Sequence, residues 1–174
     1  SPPDASLGKG LFKTSQSVYR NLIISSIVES ALRGKGVIST GFKPGVDDWE
    51  FPNYGSYIAT AGHCAGQSVT SMWYFYEQKL KGAPGLFKRF DKVSDPNKPD
   101  SLWCDNPFGY RFASTIQEDM NFDKWIRDIE YESWVPNLVF NTFVYAMLLY
   151  AEPQLVLIRS SKDRSGHAMV LYAI

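Results

Sequence analysis

Two cysteines and two histidines are all that this 174-residue chain offers for thiol or imidazole chemistry, so any such site must draw on His63, Cys64, Cys104 and His167. No Cys-x-x-Cys or His-x-x-x-His pair is present, and neither a metal nor another cofactor is expected. Two cysteines are compatible with one disulfide, with one reactive thiol and a bystander, or with two inert buried thiols. No apolar run approaches the ~20 residues that a transmembrane helix needs, and Ser1-Pro2-Pro3-Asp4 lacks the basic and apolar regions of a signal peptide. A soluble chain with no membrane insertion is the expectation. Charge of one sign is also lacking, with 18 Lys+Arg against 18 Asp+Glu, so no global field favours a nucleic-acid partner. Repeats and splitting linkers are absent, which predicts one domain over residues 1–174 that buries roughly 70% of its unfolded surface.

What is present is a change of pattern along the chain. Leu22, Ile23, Ile27 and Leu32 fall near helical spacing between Val18 and Leu32, with Gly34 as a stop. Gly41 to Gly62, carrying Pro44, Gly45, Pro52 and Gly55, reads as irregular and leads into Cys64. From Cys64 to Leu80, the residues Val69, Met72, Trp73, Tyr76 and Leu80 form a helical stripe, predicted to face the core. Lys81 to Pro99 reads as a surface excursion. A helix is predicted over Tyr110 to Glu132, with Phe112, Ile116, Met120, Trp125 and Ile129 inward and a break near Asn121. Another is predicted from Asn137 to Tyr150, ended by Pro153. Leu155 to Ile158 and His167 to Ile174 then read as strands around the polar turn Ser160 to Gly166. Helices first and an antiparallel pair last predict an α+β fold, helical to about residue 152 and sheet from about 153 onward.

Two segments carry chemistry. In Gly62-His63-Cys64-Ala65-Gly66-Gln67-Ser68 the cysteine opens a helix, where the positive end of the macrodipole favours thiolate over thiol. On the spacing, Cys64 points about 140° away from the Val69 stripe, which argues against core filling. The flanking glycines allow close approach, and the Cys64 N–H with other first-turn amides is suited to an oxyanion. In Ser165-Gly166-His167-Ala168-Met169-Val170-Leu171-Tyr172 a histidine opens a strand behind a glycine and is placed like a general base.

These two motifs, in this order, resemble the papain-like cysteine peptidase superfamily. The likeness is to bacterial members with a Gly-x-Cys-x-Gly-Met-Ser motif and a Gly-His-Ala-Val strand, akin to peptidases that process bacteriocin leaders. The resemblance implies a helical lobe against an antiparallel sheet lobe, Cys64 as nucleophile and His167 as general base and acid. It implies a peptide or protein substrate and a secreted or cell-surface bacterial setting. Gln67 replaces the family's methionine, and Ile58 stands where papain has its oxyanion glutamine, so either Asn53, Ser56 or Gln67 supplies that donor beside the Cys64 N–H or backbone alone serves. The family's orienting Asp or Asn follows the histidine strand, and the sheet is accordingly expected to continue beyond Ile174.

Blander readings compete. Cys64 could be a buried thiol, and His167 a satisfied turn histidine. The resemblance also supplies a Cys64–Cys104 disulfide, since relatives often bridge a cysteine just before the nucleophile to a site like Trp103-Cys104. The expected activity is therefore hydrolysis of a peptide or isopeptide bond, and the alternative is an inactive papain-like module that binds peptide or glycan. Tyr74, Phe75, Tyr76, Trp103, Trp125 and Trp134 read as core, and Asp47-Asp48 and Asp119-Asp123 as solvated or helix-start acids. Oligomeric state is not written in these residues.

Overall fold

Residues 20–34, 36–90, 107–120, 136–160, 162 and 165–174 are described by the computed structural model. Helix α1 covers residues 20–34, α2 Cys64–Glu77, α3 Pro107–Asp119 and α4 Pro136–Tyr150; strands β1, Gln154–Arg159, and β2, Gly166–Leu171, follow. The architecture is α+β, as the order of patterns predicted. The strands pair antiparallel in a register that sets Gln154 opposite Leu171 and Ile158 opposite His167. Beyond β2 the chain pairs with residues 38–40. Ile38 and Ile174 exchange both backbone hydrogen bonds, and the Thr40 N–H donates to the Tyr172 carbonyl at 2.9 Å.

In α1 the buried face is Val28 with Ile24, Ala31 and Leu32, packed against Ile38, Val144 and Met147. Leu22, Ile23 and Ile27 of the predicted stripe are exposed instead. Helix α4 ends where expected; α3 stops at Asp119, and the predicted continuation through Trp125 and Ile129 lies outside the described residues. So do residues 91–99 of the surface excursion, as well as Trp103, Cys104, Asp123 and Trp134.

The largest correction concerns α2. Val69 and Met72 are half-buried, while Trp73, Tyr76 and Leu80 are 50%, 47% and 59% exposed; the buried face is Ala65, Gly66, Ser68, Thr70, Ser71, Tyr74 and Phe75. In its first two turns, close approach and not apolarity decides the packing. A Cβ on Gly66 would sit 1.8 Å from the Ala113 carbonyl oxygen, so α3 lies directly on the backbone of α2. The hydroxyls tolerate burial because they bond within their own helix: Thr70 Oγ1 donates to the Gly66 carbonyl at 2.6 Å, and Ser71 Oγ donates to that of Gln67. On its other side α2 packs against β2.

Asp47 is a second correction. It is fully buried rather than solvated, accepts the Lys43 N–H at 2.9 Å and pairs with the Lys79 ammonium. This ties the irregular segment before Cys64 to the 3₁₀ turn Lys79–Lys81 after α2.

Candidate active site

Helix α2 opens without a side-chain cap of its own, since His63 at the N-cap makes no capping hydrogen bond. The orphan amides of a helix start need acceptors. Gln117 of α3 supplies one: its Oε1 accepts the N–H groups of Ala65 at 2.9 Å and Gly66 at 3.0 Å. Two first-turn amides expected to serve an oxyanion are therefore engaged. The Cys64 N–H makes no hydrogen bond among the described residues and remains the donor at the thiol. Gly66 makes room for α3, not for substrate.

Cys64 carries a free, half-buried thiol. Cys64, Ser68 and Ser71 stand at i, i+4 and i+7 on one face of α2, the face turned to β2. Because the predicted stripe lies outside, Cys64 sits at the edge of the packed side of α2. Its sulfur accepts the Ala168 N–H at 3.4 Å, across 104 residues of sequence. The strand opened by His167 thus runs past the thiol. Alternation sets the buried Ala168 toward α2 and His167 on the opposite face, exposed, beside its equally exposed cross-strand partner Ile158. The backbones of the two predicted partners meet, and the imidazole has to swing around the start of β2 to reach the sulfur.

The other candidates divide. Asn53 is close: its Oδ1 accepts the His63 N–H at 2.6 Å, and its amide lies against Gly62, whose φ of 113° is open only to glycine. Its Nδ2 makes no hydrogen bond among the described residues. Gln67 is committed elsewhere, its Nε2 donating to the Phe51 carbonyl at 2.6 Å. Ser56 Oγ accepts the N–H groups of Ile58 and Ala59 and shapes the loop. His63 is fully buried, edge-on to Phe51 and Tyr110 at centroid distances of 5.6 and 4.7 Å, with neither ring nitrogen hydrogen-bonded. Burial holds its pKa below 6.5, opposed by the nearby Pro52 carbonyl, whose approach falls short of a hydrogen bond.

Gln117 is a site residue that the sequence pattern does not reveal. It lies 52 residues from its partner, one step from the predicted inner position Ile116, and no local pattern marks a glutamine that caps another helix. No family model matches the chain, and neither curated proteins nor solved structures return a match. Among the described residues no helix is long and apolar enough to cross a membrane. The class established is an α+β chain with a free thiol at a helix start against a strand.

Proposed function

We propose that the chain is a cysteine hydrolase of papain-like type, acting on a peptide or isopeptide bond with Cys64 as nucleophile and His167 as general base and acid. The observation that carries this is the 3.4 Å contact between the Ala168 N–H and the Cys64 sulfur, which brings the histidine strand to a thiol at a helix start. His167 takes the thiol proton, the sulfur attacks the carbonyl carbon, and the Cys64 N–H, with Asn53 nearby, holds the oxyanion. Collapse expels the amine, protonated by His167, and leaves a thioester. Water, deprotonated by His167, then attacks the thioester and releases the acid and the thiol.

Iodoacetamide should modify Cys64 at neutral pH faster than it modifies free cysteine, and His167→Ala should remove the excess. Peptide hydrolysis should fall on the order of 10²-fold or more in the same variant. A Cys64 rate equal to free cysteine, unchanged in His167→Ala, is the result against the proposal. The outward face of His167 and the engaged Gln67 amide favour a second reading, a non-catalytic module that binds a peptide or glycan on this scaffold. It predicts that ordinary thiol reactivity together with retained peptide or glycan binding.

A further inference from the structure

A cavity of about 240 Å³ opens along the seam between α2 and β2, one to two helical turns from Cys64. Ser68 and Ser71 continue the Cys64 face of α2, while Val170 and Tyr172 continue the Ala168 face of β2. At 1.5 Å per residue, Ser68 lies about 6 Å and Ser71 about 10 Å along the helix from the thiol, the span of roughly two or three extended residues. The remaining walls include Phe42, Trp49 and Asp48. Phe42 and Tyr172 stand 6.3 Å apart between ring centroids. Pro44 and Tyr172, both exposed, flank the opening to solvent.

Asp48 differs from its neighbour in being uncompensated. Asp47 has Lys79, but among the described residues no cation pairs with Asp48; its Oδ1 accepts the Gly45 N–H at 2.7 Å. Burial raises its pKa, the Gly45 and Asp48 amides oppose the shift, and the adjacent Asp47 adds to it. A half-buried carboxylate beside three aromatic rings has the chemistry of a cation site. The carboxylate offers charge, and the rings offer attractive faces to an ammonium or guanidinium and apolar cover to its stem.

We infer that this cavity is a specificity pocket for a lysine or arginine side chain, with Asp48 as the residue that selects it. As a substrate pocket it rests on the proposed cysteine hydrolase reading, and it places the basic residue two or three positions from the attacked carbonyl. Its existence as a binding site is tested without that chemistry.

Calorimetric titration of the Cys64→Ala chain with acetyl-Ala-Lys-Ala-amide and with its norleucine counterpart makes the comparison. The lysine peptide should bind about tenfold more tightly or better, and the difference should narrow as added salt screens the charge. In Asp48→Asn, whose amide oxygen still accepts the Gly45 N–H, the two peptides should bind alike. Equal binding of both peptides, binding of neither, or a lysine preference that survives Asp48→Asn overturns the inference. Iodoacetamide reactivity of the unmutated chain tests the nucleophile separately, so either idea can fail alone.

Discussion

His63 is the residue whose chemistry and setting agree least. A fully buried imidazole with both nitrogens unbonded packs edge-on against Phe51 and Tyr110, and the cost of charging it there exceeds what the nearby Pro52 carbonyl returns. Its folded pKa lies below the ordinary 6.5, so under acid conditions the unfolded chain binds the extra proton. Stability therefore rises with pH through that window. The contribution is fully present above about 6.5 and is lost as pH falls below it, at up to ~1.4 kcal/mol per pH unit. Urea midpoints measured at pH 7.5 and 5.5 should separate for the native sequence and converge for His63→Leu. Replacing unbonded nitrogens by carbon should cost little at the higher pH. An identical acid loss in both proteins would show that His63 does not titrate with unfolding.

At the scale of elements, α2 is held by close approach, and this is where pattern and structure part. Gly66→Ala would gain about 1 kcal/mol of intrinsic helix propensity. It would also drive a methyl group into the Ala113 carbonyl and pull Gln117 away from the Ala65 and Gly66 amides. Overpacking costs about 1–3 kcal/mol and buried amides left unpaired cost a similar amount, so the clash wins. A net loss near 2 kcal/mol, a fall of about 4–8 °C in Tm, is expected by calorimetry. An unchanged or raised Tm would mean that α3 does not rest on this face. Apolar periodicity found α2 and the order of helices and strands, but it assigned the wrong face. It scores Ser68, Thr70 and Ser71 as solvent-facing, although Thr70 and Ser71 satisfy their hydroxyls on the preceding turn and all three leave room for neighbours. The same division holds at the site. Cys64 at a helix start and His167 opening a strand were legible locally, whereas Gln117, the buried Asp47–Lys79 pair and the engaged Gln67 amide depend on contacts between distant segments.

For the whole molecule, β2 is the shared wall. One face gives Ala168 and Val170 to the α2 seam, and the other gives Leu171 to the cluster of Val28, Ile38, Val144 and Met147, which Ile174 also joins. The position of the strand against the Cys64 sulfur is thus set from behind by the cluster that α1 and α4 build against Leu171. If so, the two packed regions cannot unfold independently. Met147→Ala, deep in the far cluster, should cost about 2–5 kcal/mol. The same variant should lower the urea midpoint equally whether unfolding is followed by far-ultraviolet circular dichroism or by tryptophan fluorescence, to which Trp49 beside Thr70 contributes. Two separated transitions would mean that the strand does not couple the regions, and the thiol's neighbour would then be free to move without loss of the helical cluster. A single shifted transition makes the far core part of what keeps sulfur and strand in register.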